Sequence, residues 1–128
     1  MLFRSDMSRI TAALDIASSS SYSEAFPNVI GEAMSCGVPC VVTDVGDSAW
    51  LVGDTGFSVP ARDSGALSGA WMELCAQGAR RRGALGAAAR ERIAAHFSMA
   101  SVAQQYEQMY ERILGAGVEA KGYRRCAA

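Results

Sequence analysis

Glu24-Ala25-Phe26-Pro27-Asn28-Val29-Ile30-Gly31-Glu32 is the stretch on which the reading of this chain turns. The Pro-Asn step begins a helix, because the fixed φ and missing N–H of Pro27 suit a first helical turn. Glu24 precedes that helix, and Glu32 lies about two turns into it. A helix start offers free backbone N–H groups and the positive end of a dipole, which suits a phosphate. Carboxylates repel phosphate but accept hydrogen bonds from hydroxyls, as on a ribose or a sugar. Phosphate donors and hydroxyl acceptors at one helix start point to a nucleotide-sugar site. Pro27 has no N–H, so Phe26 and Asn28 are the expected amide donors. The Phe26 ring can equally be core, and the Asn28 side chain can equally face solvent.

Outward from this helix the chain alternates strand and helix. Gly37 is placed to end the helix in a left-handed cap. Cys40-Val41-Val42 makes 39–43 a buried parallel strand, and Gly56 to Val59 is another, closed by Pro60. Between them, 45–52 holds Gly46 and a short helical turn. Upstream, Asp15 to Ser19 reads as a short strand. Ser5 can cap a helix from Asp6 to about Leu14, with Met7, Ile10 and Leu14 at helical spacing. Met1-Leu2-Phe3 resembles the tail of a further strand.

From Asp63 or Ser64 the pattern is helical, with Leu67, Trp71 and Leu74 on one face. Gly78 interrupts it. A helix from Arg80 to His96 follows, with Leu85, Ala89 and Ile93, and Ser98 caps a last one carrying Val102, Tyr106, Met109, Tyr110 and Ile113. The expected fold is α/β: a partial doubly wound, Rossmann-like parallel sheet of three to four strands with C-terminal helices. Residues 115–128 lose the apolar pattern and read as a poorly ordered tail.

With 128 residues, half of them hydrophobic, the chain forms at most one domain with a real core. A net charge of −1 gives no general pull toward nucleic acid. Cys36, Cys40, Cys75 and Cys126 show no metal-ligand spacing and no nearby His, so no metal site is expected and reduced thiols in a cytoplasmic protein are. Cys36 and Cys40 flank a turn and could approach each other. Residues 1–20 lack a signal-peptide core and no window has transmembrane length, so membrane contact would be peripheral at most. No Gly-x-Gly-x-x-Gly follows a strand, which argues against a dinucleotide binder.

Residues 21–28 (Ser-Tyr-Ser-Glu-Ala-Phe-Pro-Asn), 31–39 (Gly-Glu-Ala-Met-Ser-Cys-Gly-Val-Pro), 41–46 (Val-Val-Thr-Asp-Val-Gly) and 53–56 (Gly-Asp-Thr-Gly) together resemble the group 1 glycosyltransferases. These are retaining enzymes of the two-domain GT-B architecture that use nucleotide sugars. Ala88-Ala89-Arg90-Glu91-Arg92 and His96-Phe97-Ser98 are similar to the family's C-terminal helical region, so the resemblance covers most of residues 5–114. It implies an incomplete C-terminal donor-binding domain over 1–114. Glu24 would contact hydroxyls of the donor sugar as the catalytic, positioning carboxylate. Glu32 would hold the ribose, and Ala25, Phe26 and Asn28 would complete the donor site. The nucleotide sugar is then a co-substrate, with no cofactor, and the acceptor is a glycan, a lipid or a small molecule.

Two departures matter. Ala25 stands where the family usually has Gly, and its methyl could restrict the backbone. The resemblance also implies an N-terminal acceptor domain and an Arg–Lys pair upstream of Met1. An isolated chain of this kind is expected to be inactive, or only a nucleotide-binding or interaction module. It would be marginally stable and apt to self-associate through an exposed sheet edge.

Other residues read more plainly. Asp44 is a turn former at a strand's carboxyl end, and His96 suits a helix C-terminus. The run 80–82 is expected to be a solvated helix start, and Trp71 and Tyr106 to be core.

Overall fold

The computed structural model describes residues 6–115. The strand tail at 1–3, the Ser5 cap, the tail beyond Gly115 and Cys126 lie outside them. Within them the chain runs α1 (Met7–Thr11), β1 (Ala17–Ser19), α2 (Asn28–Ser35), β2 (Cys40–Thr43), α3 (Ser48–Val52), β3 (Phe57–Val59), α4 (Ser64–Ala76), α5 (Gly78–His96) and α6 (Met99–Gly115). The strands form one parallel sheet in the order β1-β2-β3, with Ala17 opposite Cys40 and Val41 opposite Phe57. This is the expected α/β sheet, with three strands among the described residues.

Every residue of β2 is buried, because helices cover both faces of the sheet. Cys40 and Val42 face one way, into a core with Ile30, Ala33 and Met34 of α2, Leu51 and Val52 of α3, and Ala89 of α5. Val41 faces the other way, onto Val59, Ala70 and Leu74. Burying Ile30, Met34, Leu51 and Leu74 contributes about 1.5–3 kcal/mol each.

Local chemistry sets the helix ends. Gly37, at φ 77°, closes α2: its N–H donates to the Met34 carbonyl and the Val38 N–H to that of Ala33. That pairing satisfies two carbonyls the helix would otherwise leave open. Asp63 caps α4 by accepting the Ala66 N–H at 2.8 Å. Ser98 caps α6 by accepting the Ser101 N–H at 3.2 Å. Gly78, at φ 75°, separates α4 from α5, which starts there rather than at Arg80.

Several sequence expectations give way. The first helix stops at Thr11, and Met7, Ile10 and Leu14 are all exposed. Trp71 (44% exposed) and Tyr106 (54%) are not core, since helical spacing names a face but not what covers it. Arg82 is not a solvated side chain. It donates to the Leu74 and Cys75 carbonyls at the end of α4 and pairs with Asp15 at 3.3 Å. Cys36 and Cys40 are both free thiols: Cys40 is buried, with its Sγ 3.4 Å from the Val38 carbonyl.

Burial pushes the Cys40 thiol up from 9.0 to about 12. A raised folded pKa means that the folded state keeps its proton while the unfolded chain loses it. This contribution is complete below pH 9 and falls away as the pH rises toward 12, by about 1.4 kcal/mol per unit. Denaturation of wild type and Cys40→Ala from pH 8 to 11 should therefore converge. A constant difference between them would show that the thiol does not titrate late.

Candidate active site

Glu24 lies in the loop between β1 and α2, at the carboxyl end of the sheet, where α/β proteins bind ligands. The loop is anchored on three sides. Thr43, at the end of β2, donates its hydroxyl to the Ser21 carbonyl at 2.6 Å. The Asp47 N–H donates to the Ala25 carbonyl at 3.0 Å. The Phe26 ring packs against Phe97 (centroids 6.0 Å apart) and Trp50 (6.5 Å). Phe26 is thus partly core, and its ring ties the loop to α3 and the end of α5.

The Glu24 carboxylate is half-buried and accepts the Ser21 hydroxyl at 3.3 Å, with the Ser19 and Ser21 hydroxyls 3.0 Å apart. Ala25 is exposed, and Arg62 is the one non-glycine at positive φ among the described residues. The Ala25 methyl therefore imposes no left-handed strain. Pro27 caps α2 from just outside the helix, with φ −81° and ψ 80°, instead of opening its first turn. The Asn28 N–H turns back to the Phe26 carbonyl at 3.0 Å, so at the start of α2, from Phe26 to Gly31, the amides without a partner among the described residues are those of Phe26 and Val29.

Two hollows flank this helix start. One, of about 400 Å³, is lined by Ser19, Ser21 and Glu24 together with Phe26 and Asn28. The other, of about 350 Å³, is lined by Glu32, Ser35, Leu51 and Phe97, again with Phe26 and Asn28. Of the five residues singled out from the sequence, Glu24, Phe26, Asn28 and Glu32 line these hollows and Ala25 lines neither. Glu24 and Glu32 stand on opposite sides of the helix start, and Glu32 is exposed.

Sequence reasoning missed the residues that hold the loop. Gly46, at φ 53°, lies so close beneath it that an added Cβ would overlap the Glu24 carbonyl oxygen and sit 2.7 Å from that of Ala25. The run Thr43-Asp44-Val45-Gly46 is the available signal: it carries part of the family resemblance, but its contact with the Glu24 loop is not visible in the sequence. Arg92 of α5 was not singled out either. It donates to the Leu51 carbonyl at 2.9 Å and the Trp50 carbonyl at 2.6 Å, joining a cation to the C-terminal end of α3.

The family model described as glycosyl transferases group 1 matches residues 1–77. The chain belongs to the group 1 glycosyl transferases. It is 31% identical over 111 residues to an N-acetyl-alpha-D-glucosaminyl L-malate synthase of Bacillus anthracis, covering 85% of this chain and 29% of the relative. It is 33% identical over 114 residues to a D-inositol 3-phosphate glycosyltransferase of Mycobacterium marinum, covering 88% and 24%. Among solved structures, a sucrose-phosphate synthase from Thermosynechococcus elongatus superposes with a TM-score of 0.73 at 33% identity, over 84% of this chain and 27% of that one. A glycosyltransferase from Rickettsia africae shares the fold, with a TM-score of 0.77 at 23% identity, over 89% and 31%. This group 1 chain therefore spans about a quarter to a third of the length of each. No helix among its described residues is long and apolar enough to cross a membrane.

Proposed function

We propose that this chain holds a nucleotide diphosphate sugar and serves the transfer of its glycosyl group, with retention, to a small-molecule acceptor. One observation supports this above the others: the open Phe26 and Val29 amides at the α2 start lie between two hollows, each carrying one carboxylate. Phosphates take the amides and the dipole, Glu32 accepts hydrogen bonds from the ribose, and Glu24 accepts them from the sugar. Negative charge builds on the leaving phosphate during transfer, so fixed donors aimed there stabilise the transition state. Glu24 positions the sugar and does not form a covalent bond to it. The acceptor reading draws on two curated relatives, which are named for L-malate and D-inositol 3-phosphate. We place the protein in the cytoplasm, at the membrane periphery at most.

Glu32→Gln should weaken binding of the bare nucleotide and of the nucleotide sugar alike. Glu24→Gln should weaken only the sugar form and should lower turnover in any preparation that transfers. A hydrogen bond to a charged group contributes about 1.5–3 kcal/mol, so each loss is roughly ten- to a hundredfold. Calorimetric titration with UDP, UDP-glucose and GDP-mannose reads both effects, and unchanged affinities in both variants would refute the assignment. A second reading follows from the share of the relatives that the chain covers: alone it binds the nucleotide sugar and transfers nothing. Sugar release without an added partner domain would exclude that reading.

A further inference from the structure

Three loops leave the carboxyl end of the sheet, at 20–27, 44–47 and 60–63. They carry the acids Glu24, Asp44, Asp47 and Asp63, and a single cation, Arg62. These acids disfavour an anion on the rim, and Arg62 is the one side chain of the three loops whose charge would attract it. Two independent features mark that residue. Its backbone is left-handed at φ 64°, a conformation suited to glycine, and such strain persists where the surroundings hold it in place. Its guanidinium sits over the Tyr22 ring, 4.3 Å from the centroid, two residues before Glu24.

Arg82 and Arg92 spend their N–H groups on helix-end carbonyls, and Arg82 also on Asp15. Arg62 has no hydrogen bond or ion pair among the described residues. Arg80, Arg81 and Arg90 also lack a hydrogen bond or ion pair among the described residues, so it is the Tyr22 ring that sets the Arg62 side chain apart. The nearest acid in sequence, Asp63, already uses its Oδ1 to cap α4. Tyr22 is 64% exposed, so the pair stands at the surface of the rim. An aromatic face that fixes a guanidinium leaves its forked donors available, and that fork matches phosphate and carboxylate.

We infer that Arg62, held on Tyr22, forms a subsite for an anionic group of a substrate, a phosphate or a carboxylate, separate from the diphosphate site at the α2 start. The inference rests on the proposed nucleotide-sugar reading for its biological use, in which the anion is carried by an acceptor that reaches this rim from the N-terminal acceptor domain the resemblance implies.

The test is an NMR titration of the full chain with inorganic phosphate, in wild type, Arg62→Gln and Arg62→Gly. Phosphate should shift the resonances of Tyr22 and of residues 61–63, and Arg62→Gln should weaken that binding by about tenfold or more. Arg62→Gly should abolish it while thermal stability stays level or rises, because glycine relieves the positive φ. Phosphate shifts at Tyr22 and 61–63 that persist unweakened in either variant would overturn the subsite, whatever phosphate does at the α2 start. So would a loss of stability in Arg62→Gly with the phosphate shifts retained, which would mark a bridge between loops. A second arm saturates the chain with UDP-glucose or GDP-mannose. Phosphate should stay at Arg62, whereas its displacement would assign Arg62 to the donor diphosphate and overturn the separate subsite. If neither nucleotide sugar shifts Phe26 to Glu32, the proposed function fails, and the phosphate arm still decides Arg62.

Discussion

Gly46→Ala should destabilise the fold by about 2–5 kcal/mol, adding about 1–2 for a left-handed alanine and about 1–3 for overpacking. Gly46 stands at φ 53°, and the added methyl would overlap the Glu24 carbonyl oxygen. Neither partner yields easily. The Glu24 loop is held by the Thr43 hydroxyl on Ser21 and by the Asp47 amide on Ala25. If the loop moves instead, the Glu24 carboxylate moves with it. A displacement on the order of 1 Å at a positioning group costs about a hundredfold in rate. Chemical denaturation together with nucleotide-sugar titration measures both consequences. Near-wild-type stability with intact sugar affinity would show that the two loops separate without cost.

The second large effect is expected at Gly86, within α5. Alanine in a helix interior normally gains about 0.5–1 kcal/mol over glycine. Here the added Cβ would overlap the Gly37 carbonyl oxygen and lie 2.7 Å from its carbonyl carbon. Both groups are backbone, so no side chain can swing aside. Gly37 is itself fixed by the cap that closes α2. Prying α5 from α2 also disturbs the contacts of Ala89 and Ile93 with the core. The clash should win, with a net loss of about 2 kcal/mol or more. Gly83, in the same helix and exposed, has nothing within 4 Å of a built Cβ, so Gly83→Ala should stabilise by about 0.5–1 kcal/mol. Thermal melts of the two variants should move in opposite directions. A shared direction would mean that helix propensity, not the α2–α5 contact, governs this face.

The sequence alone determined the features that depend on near neighbours or on full burial. Cys40-Val41-Val42 could only be a covered strand, and Gly37 could end α2 because the glycine backbone reaches φ 77° without strain. The Ser98 cap was legible because a cap is a bond across three residues, whereas the sequence allows α4 to start at Asp63 or Ser64 and the structure gives the cap to Asp63. The placement of Glu24 just before α2 and of Glu32 within it was legible because both lie within one short stretch around the helix start. The tertiary structure decided whatever joins residues distant in the chain. Gly46 looked like any turn glycine until the Glu24 loop was laid on it, and Gly86 like any helix glycine until the Gly37 carbonyl came against it. Arg82 and Trp71 reversed their expected environments for the same reason. Periodicity marks one face of a helix as apolar, but a second element must arrive to bury it, and only the assembled packing says whether one does.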